Sequence, residues 1–296
     1  MSNPKSPAWY GGGLDAYLRP GANLGTTFYV DGTGPDTNSG LTPTDPLASI
    51  TAALALCTND RNDTIVVLDY WAAATETWPI DVNKSMVSII GVYSGGAIWP
   101  QVNPVGDVAA FNVTAANTRI LNLSVNGGAT AGCIQLGASV WGIEIGNCWF
   151  GEAGTGQDGI RDVAPFDAVY LEIWGCRFGQ ELTRNGVRID HNATRGMIGV
   201  PGKPPNLFRV SADVAINVAS TMAQGLIYGN IIACDSDVQG RAITLAATAA
   251  DGAIIQGNTA NFGDTAMVQN PFLDGSAATS NTWLDNMWGV TLTMPA

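Results

Sequence analysis

Apolar positions along this chain come in short β-branched runs broken by Gly or Asn and then resumed. ILNLSV begins at Ile120, IGNCWF at Ile145, IWGCRF at Ile173, YGNIIA at Tyr228, QGNTAN at Gln256 and DNMWGV at Asp285. Such runs predict strands, because Gly and Asn punctuate and β-branched residues suit a pleated backbone. Helical periodicity stands out at one place, where Ile50, Ala53, Leu54 and Cys57 fall at i, i+3, i+4 and i+7 behind Ser49, a predicted N-cap.

Aligned on the interrupting residue, the runs give Asn122, Asn147, Gly175, Asn230, Asn258 and Asn286, spaced by 25, 28, 55, 28 and 28 residues. The 55-residue step is two units, with a further coil expected near residue 202. A period of this length with strand-like content predicts a right-handed parallel β-helix, an all-β solenoid of about eight coils. At ~4.8 Å per coil the rod is on the order of 40 Å long. The shared Asn or Gly is expected at a left-handed turn, with amide side chains stacking from coil to coil. The next column, Leu123, Cys148, Cys176, Ile231, Thr259 and Met287, is expected to face inward. The helix Ser49–Cys57 then caps the first coil, since an open solenoid end exposes core and strand edges. Residues 1–25 form an extended arm, 26–60 the N-terminal strand, loop and capping helix, and 61–296 the β-helix.

Composition narrows the function classes. Charged residues are 13% of 296, Gly numbers 36, apolar types are 46% and the net charge is −12. That balance disfavours nucleic acid and anionic membrane surfaces as partners, because few cations are present to displace phosphate counterions. No stretch has the length of a membrane span, and the N-terminus lacks the apolar core of a secretory signal, so synthesis in a cytoplasm is expected. Cys57, Cys133, Cys148, Cys176 and Cys234 lack metal-ligand spacing and are expected reduced and buried.

The stretch YVDGTGPDTNSGLTPTDPLASITAAL, followed by NDTIVVL at Asn62–Leu68, resembles the N-terminal signature of the pectin-lyase-like, right-handed parallel β-helix superfamily. The resemblance implies the fold, and a choice among polysaccharide lyases, glycoside hydrolases, phage tailspikes and virion proteins without activity. Lyases of this kind use Arg or Lys as base beside bound calcium. The motifs of pectate lyases and polygalacturonases (paired Asp, Asn-x-Asp, Gly-His-Gly) do not appear.

Candidate chemistry lies on the coils' outer faces. Glu144 and Glu172 are 28 apart and so occupy one position in successive coils. That spacing suits a retaining glycosidase, whose carboxyls lie about 5–5.5 Å apart. Arg119 shares their column, so a solvated charge stack is the competing reading. Residues 177–209 hold Arg177, Arg184, Arg188, Arg195, Lys203 and Arg209, six of the thirteen basic residues, with the one histidine, His191, beside Asp190. The Arg188/Asp190/His191 group is a second catalytic candidate; a loop excursion whose charges meet a neighbouring acidic subunit is the alternative. Asp31, Asp36 and Asn38 offer oxygens to calcium without EF-hand spacing, and Asx-turn chemistry explains them equally. No metal site is assigned.

The arm, with Trp9, Tyr10, Tyr17 and Arg19, is expected to dock on a partner. The favoured expectation is a structural bacteriophage virion protein, a capsid decoration (cement) protein or spike at the virion surface. It is anchored through the arm to the major capsid or another virion protein, homotrimeric, and able to meet a host surface glycan. The alternative is a polysaccharide lyase or glycoside hydrolase working along the rod, with Glu144, Glu172, Arg188, Asp190 and His191 as its candidates.

Overall fold

The computed structural model describes residues 25–68, 76–92, 99–137, 140–151, 156–163, 167–179, 181–210, 214–220, 222–234, 241–246, 252–262, 271–275 and 281–290. The arm residues Trp9, Tyr10, Tyr17 and Arg19 lie outside them. The chain is an all-β parallel solenoid, with one short helix among the described residues. Successive coils feed three sheets, and the pairings among the described residues are parallel, as between Arg119–Leu121 and Trp141–Gly146 in sheet I. Sheet I holds 11 strands, from Thr27–Val30 to Thr282–Leu284. Sheet II runs from Gln101–Val102 to Met287–Val290 and sheet III from Ile80–Val82 to Phe272–Asp274, with 8 strands each.

The core is a set of columns, because parallel pairing stacks like residues at one register position. In sheet I, Phe28, Ile65, Ile89, Ile120, Ile145, Ile173, Ile198, Ile227, Ile255 and Trp283 pair in succession. All the isoleucines in this column are fully buried. Each contributes about 1.5–3 kcal/mol by leaving water, and the β-branched side chain matches the stacked strand geometry. In sheet II, Phe150, Phe178 and Phe208 stack with centroids 5.0 and 4.4 Å apart and nearly parallel rings.

The Asn positions divide into two columns that the 25–28-residue period does not separate. Asn122, Asn147 and Gly175 do take positive φ, of 59, 50 and 63°. In the later coils that position belongs to Gly229, Gly257 and Asp285, at 60, 65 and 51°. Asn230, Asn258 and Asn286 sit one residue further on and turn inward. Their strand neighbours Ile231, Thr259 and Met287 pair in register on the outer face, so the expectation that these three point inward is corrected: Ile231 and Met287 are exposed. The inward column is Leu123, Cys148, Cys176, Asn206, Asn230, Asn258 and Asn286, flanked throughout by the paired residues of sheet II. Each amide in it donates to the isoleucine carbonyl of an adjacent coil: Asn206 to Ile173, Asn230 to Ile198, Asn258 to Ile227 and Asn286 to Ile255, at 2.8–3.0 Å. The thiols of Cys148 and Cys176 reach the equivalent carbonyls, Ile120 and Ile145, at 3.6 and 3.7 Å. A buried polar column is thereby satisfied along its length.

The coil expected near residue 202 is present as strands Met197–Ile198 and Leu207–Val210, joined through Gly199 and the Pro201–Asn206 loop. The helix Ile50–Leu56 starts as predicted, with Ser49 Oγ accepting from Ala52 N at 3.0 Å. Its other early N–H groups go to the buried Glu76, whose carboxylate accepts from Ile50 and Thr51 at 2.8 and 3.1 Å. Ile50, Ala53 and Leu54 are buried in the core that includes Ile65 and Ile80.

Candidate functional site

Glu144 and Glu172 are register partners in sheet I, and Glu144 also pairs with Arg119 in the preceding coil. The three lie in a groove of about 680 Å³ lined further by Trp141, Tyr170 and Lys203. Lys203 comes from the loop after Met197–Ile198 and folds back over the sheet. Its Nζ lies 2.8 Å from Glu144 Oε1 and 3.0 Å from Glu172 Oε2, and 4.6 Å from the Trp174 ring centroid. The expectation that this loop sends its charge to another subunit is corrected for Lys203, which pairs within its own chain.

Trp174 is placed by a glycine. A Cβ on Gly146 would sit 2.4 Å from the indole, so only Gly lets the ring lie across the strand. From there Trp174 Nε1 donates to Glu144 Oε1 at 2.9 Å, and Arg119 Nε lies 3.1 Å from Glu144 Oε2. Glu144 is thus surrounded by donors and only 13% exposed, whereas Glu172 is more open at 31%. Beside these charges, Trp141 and Tyr170 stand half-exposed, at 55% and 47%. Aromatic faces presented to solvent next to fixed donors and acceptors stack on a planar or pyranose face and hydrogen-bond its edge.

Arg188, Asp190 and His191 do not join this groove. They lie at the end of strand Leu182–Ile189 in sheet III, around Asp162. Arg188 Nε bonds Asp190 at 2.6 and 2.8 Å. Asp162 follows Val113 and Leu136 in an inward column, and accepts from the N–H groups of Asp190 and His191 at 2.6 Å each. Burial pushes its carboxyl above the ordinary range, the two N–H donors offsetting part of the rise. His191 Nδ1 lies 3.3 Å from Asp162 Oδ2 without hydrogen-bond alignment. The grouping ties one coil to the next at a corner. Arg184 likewise pairs with the buried Asp158, which also accepts from Asn185 at 2.7 Å.

The polar side chains of the N-terminal loop are engaged within the loop and at the helix start. Asp31 accepts from Thr33 N and Oγ1 at 3.0 and 2.9 Å, Asp36 from Ser49 N at 2.9 Å and Oγ at 3.0 Å, and Asn38 donates to Pro46 O at 2.8 Å. These oxygens shape the turn and hold the helix cap. Among the described residues no three or more His, Cys, Asp or Glu side chains converge in a metal-binding group. Nor is any described helix long and apolar enough to cross a membrane.

Of the five cysteines, the side chain of Cys234 lies outside those described. Cys57, Cys133, Cys148 and Cys176 are free and buried. Burial pushes the Cys57 thiol up to about 12 and those of Cys133 and Cys176 far above the usual range.

Trp141, Tyr170, Trp174 and Lys203 were not picked out as a group by sequence spacing. Trp141 and Tyr170 carry a readable signal, large aromatics just ahead of the repeated strand. The closure by Lys203 depends on how an irregular loop folds back.

No protein-family model matches this chain, and no curated protein does. Among solved structures, a rhamnogalacturonan lyase is similar at 13% identity and a TM-score of 0.47, covering 88% of this chain and 87% of its own. A pectate lyase from Xanthomonas campestris is similar at 12% identity and a TM-score of 0.44, covering 93% of this chain and 83% of its own.

Proposed function

We propose that this protein binds a polysaccharide along the outer face of sheet I, in the groove formed by Trp141, Tyr170, Arg119, Glu144, Glu172 and Lys203. The observation that carries this reading is the placement of two solvent-exposed aromatics beside a charge ladder whose members hold one another in place. A flexible Lys or Glu loses rotamer freedom when it grips a ligand; here Lys203 is already fixed by two carboxylates and an indole, so less is lost. A solenoid offers such a groove repeated along its length, which suits a chain-like ligand. In this reading the helix Ile50–Leu56 closes the N-terminal end and leaves the sheet faces open.

Cleavage of the same ligand is the second reading, favoured by the register pairing of Glu144 and Glu172, backbones about 4.8 Å apart. A retaining hydrolase needs one protonated carboxyl and one free carboxylate. Lys203 bridges both, so it must be displaced by substrate before either can act. Elimination chemistry instead needs an unprotonated base with access to the sugar, and the Lys203 amine is engaged by both carboxylates. Binding is therefore the activity the resting geometry supports best. No observation among the described residues bears on a capsid, a particle, an arm contact or a trimer.

Affinity electrophoresis of the full chain against a panel of polysaccharides tests the reading. Retardation by at least one glycan, lost in Trp141→Ala and Tyr170→Ala, is the expected result. Retention of binding in the double variant refutes the groove. Release of new reducing or unsaturated ends, abolished by Glu144→Gln or Glu172→Gln, establishes the catalytic reading instead.

A further inference from the structure

The turn leading into sheet I is left-handed in coil after coil. Counting back from the paired strands, Asn62, Met86, Asn117, Gly142, Tyr170, Arg195, Gln224 and Gly252 occupy one corner column. Their φ values are 61, 59, 53, 70, 63, 55, 55 and 74°. Gly adopts this backbone freely and Asn tolerates it, whereas long side chains are disfavoured there. Asn62, Asn117, Gly142 and Gly252 follow that rule. Gly142 has a second reason, since a Cβ there would lie 2.4 Å from Asn117 Oδ1. Met86 departs from the rule within the groove, and Tyr170, Arg195 and Gln224 break it in three successive coils. Strain that a Gly or Asn would relieve persists where the side chain is needed.

These three side chains are exposed and joined. Arg195 Nη1 donates to Tyr170 Oη at 2.6 Å, and its Nε donates to Gln224 Oε1 at 3.0 Å. The guanidinium carbon lies 5.5 Å from the Tyr170 ring centroid. Arg195 has no carboxylate partner among the described residues, in contrast to Arg61, Arg119, Arg184, Arg188 and Lys203. The corner column is also the groove's own wall: Asn62, Met86, Asn117, Gly142 and Tyr170 all line it. Past Tyr170 the column continues with Arg195 and Gln224.

We propose that the Tyr170–Arg195–Gln224 corner extends the binding groove and that Arg195 recognises an anionic substituent on the bound glycan, a carboxylate or a sulfate. The proposal rests on the glycan reading above. Gln224 and Tyr170 consume two guanidinium N–H groups and hold its plane, leaving the remaining terminal donors for an oxyanion. Tyr170 serves both segments, as a stacking face for the sugar and as the anchor of Arg195. In a chain of net charge −12, a cation without a carboxylate partner among the described residues offers a polyanion a charge that is not already paired.

The test titrates the full chain with three oligosaccharides, a neutral glucan, an oligouronide and a sulfated galactan, at low and high salt. Arg195→Asn and Gln224→Asn relax the corner, and thermal midpoints are recorded alongside. The expected result is tighter binding of one anionic oligosaccharide than of the glucan, weakened about tenfold or more by Arg195→Asn, the loss of one charge-assisted hydrogen bond. Both Asn variants keep midpoints at or above the wild type. The oligouronide and galactan arms distinguish carboxylate from sulfate. Equal affinity of wild type and Arg195→Asn for the anionic ligand overturns the proposal, as does a lowered midpoint in both variants. If the glucan alone binds, the anion assignment fails and the groove stands; if nothing binds, both fail.

Discussion

Replacing Asn258 by Ala removes the most heavily used amide of the inward ladder. Its Nδ2 donates to Ile227 O and to Asn286 Oδ1, both at 2.9 Å, and its Oδ1 accepts from Asn230 N at 3.0 Å and Asn230 Nδ2 at 2.8 Å. The residue is fully buried, as is Asn230. Truncation strands the Asn230 N–H away from water, costing about 1–3 kcal/mol, and removes the side-chain donor to the Ile227 carbonyl, which its strand pairing continues to serve. Asn286 is half-buried and recovers part of its loss from solvent, and Asn230 Nδ2 keeps its bond to Ile198 O. With about 1 kcal/mol for the lost side-chain bonds, the sum is about 2–4 kcal/mol. Asn258→Cys retains a donor toward Ile227 O, the arrangement Cys148 and Cys176 already use, and recovers about 1 kcal/mol of that loss. Urea unfolding with the slope held fixed measures both variants. Because a solenoid's stability is summed over neighbouring coils, amide exchange quickens first in residues 254–262 and later in 145–178. A cost below about 1 kcal/mol for Asn258→Ala, or no recovery with Cys, refutes the view that the ladder's buried bonds stabilise these coils.

Three further outcomes follow from the same geometry. Burial alone would raise the Asp63 carboxyl, but bonds from Arg61, Thr58 N and Thr26 N outweigh it and hold it below the ordinary range. Its stabilisation is therefore present above about pH 4 and lost as pH falls through the depressed value, so the midpoint gap between wild type and Asp63→Asn narrows on acidification; a gap independent of pH refutes it. Ser49→Ala costs about 1 kcal/mol, read by thermal unfolding, with a smaller effect expected only if Glu76 alone satisfies the helix start. Iodoacetamide on the native chain, mapped by peptide mass, leaves Cys57, Cys133, Cys148 and Cys176 unmodified, whereas fast labelling of any of them contradicts its burial.

Much of the fold is legible in the chain because a parallel solenoid writes its period directly into the order of residues. The strand runs, the helix behind Ser49 and the register identity of Glu144 with Glu172 and Arg119 all follow from spacing, since each coil adds nearly the same number of residues. The same spacing misplaces Asn230, Asn258 and Asn286 by one. A Gly-Asn dipeptide carries two different Asn roles, a left-handed corner in early coils and an inward amide in later ones, and a shift of one residue exchanges outside for inside.

What the sequence by itself determined is therefore the repeat, its β character and the residues that share a column, for these depend on local backbone preference and on counting. Only the tertiary structure decided which column faces the core, that Lys203 returns over Glu144 and Glu172, and that Tyr170, Arg195 and Gln224 stand on one strained corner. Those outcomes turn on the path of an irregular loop and on side chains meeting across coils 25 to 59 residues apart, where local propensity exerts no control and packing does.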